Sequence, residues 1–286
     1  AFSIFSNYII DIKFLFGGDY ISSKALPFFY IPTWIIISSP IFTILFFLIG
    51  YSFCFRKVFI GILNIDKKKD IWDNNKEEKD FYILTNFTLI IAYLIFSNTV
   101  LYNGWRQIYF LHFFIVYFSF YGIICSFEQI KFLRKFKNFV VFVYLFLISS
   151  SIFQIYNMHP FQSFYFNSLV NKKKIHSNYE VDYWGLSGKH FIEKLIKAND
   201  AEEEIKIAVA SWIPLERSIT ILNSEDRKKI QVLGQEYNKA NYIFSNTTSE
   251  IDRNYNMKYQ IPNSFKKIGE LEINKILVYE IFKKDY

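Results

Sequence analysis

One arginine stands between a tryptophan and a tyrosine in the apolar stretch NTVLYNGWRQIYFLHFFIVY, residues 98–117. The guanidinium of Arg106 could place two parallel hydrogen bonds on the oxygens of a phosphate. The rings of Trp105 and Tyr109 could line a sugar or an isoprenoid chain. The simpler interpretation is an interfacial anchor, because Trp, Tyr and Arg are all enriched at membrane surfaces.

Two further groups carry side chains that could bind a substrate. His159 precedes a proline just beyond an apolar run. It could contact a phosphate or a sugar there, and a hydrogen-bonded turn is the simpler interpretation.

The segment EVDYWG sets Glu180 and Asp182 beside Tyr183 and Trp184, a composition that is also found in sugar-binding surfaces. The alternative for this aromatic pair is packing onto the membrane domain, and we expect no catalytic role for the two carboxylates.

The elements that must position these residues begin with four apolar runs. Hydrophobic residues make up 52% of the 286 positions and aromatic residues 21%, more than a soluble domain usually carries. Each run has close to the roughly 20 residues that cross a bilayer, and none contains Lys, Arg, Asp or Glu. They predict membrane-spanning helices rather than the core helices of a large soluble protein. The predicted spans are 33–55, 81–101, 108–127 and 138–156.

The basic residues of the short loops predict the orientation, because Lys and Arg favour the cytoplasmic side. The 56–80 connection holds seven of them and the 128–137 connection four, whereas the 102–107 connection holds only Arg106. Residues 157–286 are therefore expected on the periplasmic side of a bacterial inner membrane. The net charge of +7 does not indicate nucleic acid, because the basic residues are dispersed among 26 acidic ones.

After Tyr156 the aromatic residues thin out and charges become frequent. This change predicts a membrane domain segment at 1–156 with four α-helical spans, followed by an extracytoplasmic α/β domain at 157–286. The expected elements of that domain are a helix at 185–200 capped by Ser187, strands at 204–211 and 240–247, a helix at 224–240 capped by Ser224, and a hairpin at 265–284 that turns near Asn274.

Other classes of site have no support in the sequence. Cys54 and Cys125 both fall within predicted spans, where packing is a simpler role than a disulfide or a metal site. No His and Cys spacing indicates zinc, and neither a Gly-rich phosphate loop nor a Gly-x-Ser-x-Gly elbow occurs. The chain opens on Ala1 without a signal-peptide pattern and reads as an interior or C-terminal piece of a protein.

Four segments, in this order, resemble a known family. They are LPFFYIPTWIIISSP (26–40), LYNGWRQIYFLHFF (101–114), HPFQSFYFNSLV (159–170) and YEVDYWGLSGKHFIEKL (179–195). Together they resemble the C-terminal half of membrane glycosyltransferases of the GT-C type, which are similar in plan to protein O-mannosyltransferases and lipid A aminoarabinose transferases. The resemblance covers nearly the whole chain. Two residues depart from it, Asn103 where Asp is expected and Gln107 where His is expected, which argues against an acid–base role for that loop.

The resemblance implies an enzyme that takes a sugar from a polyprenyl-phosphate carrier on the outer face of the membrane and passes it to a glycan, lipid or protein acceptor. Its catalytic carboxylate is expected upstream of this chain, in the first outer loop. The lipid-linked sugar is the donor substrate, no covalently bound cofactor is expected, and metal dependence is left open. The residues expected to bind the lipid phosphate or the substrate are Arg106, Trp105, Tyr109, His159, Tyr183 and Trp184.

Two other classes of protein stay open. The chain could be a non-catalytic envelope scaffold whose outer domain binds another envelope protein. It could also belong to a transporter, which predicts ionisable residues inside the spans and an internal repeat. The predicted spans contain no Lys, Arg, Asp or Glu, and we see no repeat.

Overall fold

The structure, a computed structural model, describes residues 11–68, 72, 74–129, 135–199, 204–246 and 257–285. It divides into two compact units that interleave along the chain. The helical unit comprises Ala1–Lys13, Ile21–Gln154 and Phe166–Leu169, and the α/β unit comprises Phe14–Tyr20, Ile155–Tyr165 and Val170–Tyr286. The sequence had predicted a single division after residue 156.

The first part of the chain is mainly helical. It opens with a β-hairpin, β1 (Lys13–Phe16) and β2 (Asp19–Ser22). The helices that follow are α1 (Tyr30–Ser38), α2 (Ile41–Leu63), α3 (Ile65–Lys68), α4 (Asn75–Phe96), α5 (Leu111–Gln129) and α6 (Lys137–Asn157), with a 3-10 turn at Arg106–Ile108.

Four of these helices, α2, α4, α5 and α6, are long and apolar enough to cross a membrane. The predicted helical membrane part with four spans is confirmed at this level, although the bounds of three of the four spans change by more than one residue. The first predicted span, 33–55, is wrong as a single helix. Ser39 is extended and Pro40 is the N-cap of a new helix, because proline disfavours the helical conformation in the residue before it. Helix α2 then continues to Leu63 and includes the charged Arg56.

The second span also begins earlier than predicted, at Asn75 instead of 81, and ends at Phe96 instead of 101. The side chain of Asn74 accepts hydrogen bonds from the backbone N–H groups of Lys76 and Glu77, at 3.0 and 3.1 Å. This cap starts the helix inside the charged stretch, where acids in the first turn also favour a helix N-terminus. The third predicted span, 108–127, begins at Leu111 instead of 108 because the 3-10 turn precedes it.

The α/β unit is built on a five-stranded mixed sheet in the order β4-β3-β5-β7-β6. Strand β3 pairs in parallel with β4 and with β5, and β7 pairs antiparallel with β5 and with β6. The strands are β3 (Ile205–Val209), β4 (Ile230–Val232), β5 (Tyr242–Asn246), β6 (Phe265–Ile273) and β7 (Ile276–Lys284). The helices are α7 (Ile175–Asn178), α8 (Leu186–Ala198), α9 (Glu216–Ile219) and α10 (Ser224–Lys228), with 3-10 turns at Gln162–Phe164, Lys172–Lys174, Tyr237–Lys239 and Met257–Tyr259.

The core of the unit lies between α8 and the sheet. The ring of Phe191 on α8 contacts Phe244 on β5 and Tyr279 on β7, with ring centroids 4.8 and 5.6 Å apart. Strand β5 is buried along its whole length. The two predicted strands and the hairpin are confirmed, and the hairpin turns at Asn274 and Lys275, both with positive φ.

Two helix predictions in this unit are wrong in part. The helix predicted at 224–240 ends at Lys228, and its cap is Asn223, whose side chain accepts from the N–H of Asp226 at 2.7 Å. The next residues form β4, because pairing of Ile230 with Ile205 on β3 satisfies the backbone that a helix would otherwise use. Helix α8 begins after Gly185, which has φ +67, so Ser187 lies inside the helix and is not its cap.

Candidate functional site

The loop between α4 and α5 has a tight backbone at its centre. Asn103 and Gly104 both have positive φ, +51 and +85, a conformation that Gly and Asn adopt more readily than other residues. The hydroxyl of Tyr30, at the start of α1, donates a 2.8 Å hydrogen bond to the carbonyl oxygen of Gly104. Two of the segments that carry the family resemblance, 26–40 and 101–114, therefore meet at this turn.

Arg106 follows that turn within a group of aromatic rings. Its guanidinium carbon lies 5.0 Å from the ring centroid of Tyr102, in a cation–π arrangement. Trp105 is buried and Tyr109 exposed, and their ring centroids are 5.5 Å apart. The structure thus brings the three residues predicted for this loop together, with Arg106 partly buried. Partial burial strengthens the attraction of a guanidinium for an anion, because less water screens the charge.

His112, in the first turn of α5, belongs to the same cluster and was missed in the sequence. Its ring stacks on Tyr109, with centroids 5.2 Å apart and planes 7° from parallel, and it meets the edge of Trp105 at 6.0 Å. The Nδ1 atom of His112 is buried and has no hydrogen-bond partner among the described residues, and the same holds for Oδ1 of Asn103. Buried polar atoms without a partner are costly, so each of these two atoms favours contact with a polar ligand or water. The i+3 spacing from Tyr109 could have revealed the histidine.

Asn167 ties a third segment of the resemblance to the first. Its side-chain amide donates to the carbonyl oxygens of Ile36 and Ser39, and its backbone N–H donates to Ile37 at 3.0 Å. These are carbonyls at the end of α1, which have no partner within the helix. Asn167 is buried. It therefore stabilises the break between α1 and α2 that the sequence pattern did not predict.

His159 lies in the α/β unit, at an exposed turn. Its Nδ1 atom is 2.9 Å from the side-chain nitrogen of Gln162, three residues further on. This geometry matches the hydrogen-bonded turn that was the simpler interpretation. Pro160, the next residue, lines a cavity of the same unit.

That cavity contains the predicted aromatic pair, Tyr183 and Trp184, and has a volume of about 480 Å³. Ligand sites typically have roughly 300–1,000 Å³. A second tryptophan, Trp212, lines it from the loop after β3, and the cations Lys189 and Arg217 line it from α8 and α9. The three additional residues were missed in the sequence, because their segments gave no local pattern that joins them.

A buried polar network joins residues next to those that line the cavity, and it contains one of the two carboxylates of the segment EVDYWG, Asp182. The carboxylate of Asp182 is buried and accepts hydrogen bonds from the hydroxyl of Ser187 and from the side-chain amide of Asn246, the latter at 3.2 Å. Asn246 in turn accepts from the hydroxyl of Ser211 at 2.5 Å. Burial raises the pKa of Asp182 to about 6, although these hydrogen bonds lower it. The network fixes the two loops that carry the aromatic walls.

A carboxylate inside a candidate span was also missed, because the predicted span started at Phe81. Asp80 lies in α4, is buried, and accepts a hydrogen bond from the hydroxyl of Tyr117 on α5. Its second oxygen has no hydrogen-bond partner among the described residues. The thiol of Cys54 on α2 lies 3.7 Å from the Asp80 backbone oxygen. Intramembrane carboxylates are rare and commonly functional, so Asp80 is a second site of interest.

No family model, curated protein or solved structure matches this chain. The described residues also contain no group of three or more His, Cys, Asp and Glu side chains that could hold a metal ion. The geometry therefore defines a protein with candidate membrane spans, an aromatic loop around Arg106, and an α/β unit with an aromatic and cationic cavity.

Proposed function

We propose that this chain is the C-terminal portion of an integral membrane glycosyltransferase that moves a sugar from a polyprenyl-phosphate carrier to an acceptor on the outer face of the membrane. The observation that carries the proposal is the partly buried guanidinium of Arg106, held among aromatic rings in the loop between two candidate spans. The resemblance in four segments supports the same class of enzyme.

In such a transfer, an acceptor hydroxyl attacks the anomeric carbon of the sugar and the bond to the carrier phosphate breaks. Negative charge grows on the leaving phosphate as that bond breaks. A guanidinium already fixed near the phosphate stabilises this charge more than it stabilises the bound donor, which lowers the barrier. Nδ1 of His112, which has no hydrogen-bond partner among the described residues, donates to the same phosphate when it carries the proton. The base that accepts the hydroxyl proton is expected upstream of this chain.

The alternative is a non-catalytic envelope scaffold with an outer binding domain. The cavity of the α/β unit favours it, because exposed aromatic and cationic side chains around a concave surface can bind a partner without any chemistry. Under this alternative Arg106 is an interfacial anchor. The two proposals thus differ most sharply in what a change of Arg106 does.

The test compares transfer rates, as a function of donor concentration, for membranes that contain the complete gene product and its Arg106→Ala and Arg106→Lys variants. A hydrogen bond to a charged group contributes about 1.5–3 kcal/mol, so the alanine change should weaken donor use roughly ten-fold to a hundred-fold. The lysine change should fall between, because Lys keeps the charge but loses the two-pronged geometry. Arg56→Ala, at an exposed position of α2, is the matched control and should leave the rate unchanged.

A second arm measures binding of a polyprenyl phosphate to the 286-residue chain in lipid nanodiscs, which needs no upstream segment. Parent and Arg56→Ala should bind it equally, and Arg106→Ala should bind it more weakly. Equal binding and equal transfer by Arg106→Ala would contradict the phosphate site and leave Arg106 as an anchor. No transfer by any of the proteins, despite normal membrane levels, would favour the scaffold.

A further inference from the structure

The cavity of the α/β unit has walls built from two loops that follow different parts of the sheet. Tyr183 and Trp184 come from the loop before α8, and Trp212 from the loop after β3. Both tryptophans remain exposed although they are large and apolar. Exposed aromatic residues around a concave surface usually mark a binding site, because contiguous apolar patches are otherwise uncommon on water-facing surfaces.

The two loops that form the walls are fixed by contacts and hydrogen bonds with each other. Gly185 has φ +67, and a Cβ there would lie 2.9 Å from Cγ2 of Ile213, so the two loops touch. The hydrogen bonds from Asp182 through Asn246 to Ser211 join the same two loops at the carboxyl ends of β3 and β5. Ligands of sheets with parallel strands bind at this end. The aromatic walls are therefore preorganised, which lowers the entropic cost of binding.

The charged side chains around the cavity have one sign. Lys189 and Arg217 line it, and none of the Asp and Glu residues that the structure describes does. Lys189 pairs with Glu193 at 3.5 Å, but both side chains are almost half exposed, so this pair is weak. The guanidinium of Arg217 has no carboxylate within 4.0 Å among the described residues. An anionic ligand therefore complements the cavity, with Arg217 as its main partner.

We propose that this cavity binds a pyranose sugar that carries a carboxylate or a phosphate group. The C–H face of a pyranose ring packs on the negatively polarised face of an indole ring, as with Trp184 and Trp212, while its acidic group meets Arg217. That this sugar is part of the acceptor rests on the proposed function. The binding site itself does not, because it follows from the cavity and its charges.

The test uses the 286-residue chain in nanodiscs and ligand-observed NMR titrations with four small probes. They are methyl glucuronide, glucose 6-phosphate, the neutral methyl glucoside, and adenosine monophosphate. The first two should bind, the neutral glucoside at least ten-fold more weakly, and the nucleotide more weakly than either acidic sugar, because it lacks a pyranose ring. Raising the ionic strength to about 1 M, where the Debye length is about 3 Å, should weaken binding of the anionic probes selectively.

Three variants locate the site. Arg217→Gln should weaken binding of methyl glucuronide roughly ten-fold to a hundred-fold, because it removes the charged hydrogen-bond donor. Trp212→Ala should weaken it several-fold. Lys228→Gln, an exposed cation on α10 that does not line the cavity, is the matched control and should bind like the parent.

Several results would overturn the proposal. Equal binding of the neutral glucoside, undiminished binding by Arg217→Gln, or tighter binding of the nucleotide would each exclude an acidic sugar as the ligand. A part of the tryptophan quenching by brominated lipids that disappears when Trp184 and Trp212 are both replaced by Phe, without binding of any probe, would identify the two tryptophans as a membrane contact. No donor or transfer step enters these measurements, so their failure leaves the proposed glycosyltransferase standing, and a failed transfer assay leaves this site standing.

Discussion

In the helical unit, between 0% and 39% of the residues in the most apolar stretch of each candidate span are buried. In the α/β unit, by contrast, β5 is buried along its whole length and Phe191 is completely inaccessible. Both regions are rich in the same apolar residues. The difference is the solvent: lipid tails accept exposed leucine and phenylalanine without cost, whereas water expels them.

The helical unit is accordingly held together by close approach and polar contacts. A Cβ at Gly122 of α5 would lie 2.2 Å from the carbonyl oxygen of Phe46 on α2, and one at Gly50 would lie 1.8 Å from that of Phe118. The hydroxyl of Ser119 donates to the carbonyl of Thr43 across the same helix pair, at 2.8 Å. Small residues and interhelical hydrogen bonds are the usual means of helix association in lipid.

The largest effect is expected from replacing phenylalanine by alanine, and making this change once in each unit tests the contrast between them. Phe191→Ala should destabilise the α/β unit by about 3–5 kcal/mol, because it empties the contact with Phe244 and Tyr279. Phe146→Ala, on α6, removes a side chain that is 63% exposed and should be nearly silent in nanodiscs. Hydrogen exchange of each unit gives the two free energies of opening. A similar loss for both would mean that Phe146 packs against protein in the membrane.

Enlarging a side chain, rather than truncating it, should destabilise the helical unit where two helices touch. Gly122→Ala adds one carbon where α2 and α5 touch, so the helices must separate, at a cost of about 1–3 kcal/mol. Ser149→Thr also adds one carbon, on an exposed position of α6, and is the matched control. The measurement is the unfolding midpoint in mixed micelles titrated with denaturing detergent. An unchanged midpoint for Gly122→Ala would show that the two helices do not approach at this glycine.

A further effect concerns pH and the α/β unit alone. Burial raises the pKa of Asp182 to about 6, above the ordinary carboxyl value of about 3.9, so the fold favours the protonated form. Its stabilising contribution is present below pH 4 and is lost as the pH rises through 6, with a total on the order of 3 kcal/mol. Asp182→Asn, which tolerates the positive φ at this position, should remove that part of the pH dependence.

The control for this prediction is Asp226→Asn, a partly exposed acid on α10. Unfolding free energies of the three proteins between pH 4 and pH 7 give the comparison. If the parent and Asp182→Asn show the same slope, the carboxylate is ionised throughout and the hydrogen bonds from Ser187 and Asn246 outweigh burial.

Short sequence patterns predicted the secondary structure correctly wherever a segment's structure depends on its own residues. The charge-free runs predict four long helices, although not the break at Ser39 and Pro40. Asn274 predicts the turn of the last hairpin, and the apolar segments at 205 and 242 predict buried strands. Short patterns failed to predict the structure where pairing with a distant segment stabilises a different conformation. The helix predicted at 224–240 gave way to β4 after Lys228, because pairing with β3 uses a partner that no local window contains.

The candidate sites follow the same rule. The residue types around Arg106 and the Tyr183–Trp184 pair are visible in the sequence. In the structure Arg106 lies over the ring of Tyr102, and the rings of Tyr183 and Trp184 contact each other. That Trp212 and Arg217 share a cavity with that pair was not visible, because the segments that carry them are distant in the chain and meet only in the folded unit.

The sequence by itself determined which segments are apolar enough for lipid, where charges begin, and that Arg106 stands among aromatic residues, because composition and short-range spacing fix these properties. Only the tertiary structure decided that α2 and α5 touch at two glycines, that Asp80 is buried against Tyr117, and that a cavity forms beside Arg217. These features depend on contacts between residues tens of positions apart in the chain. Such contacts form only when whole elements pack, and no pattern within one element encodes them.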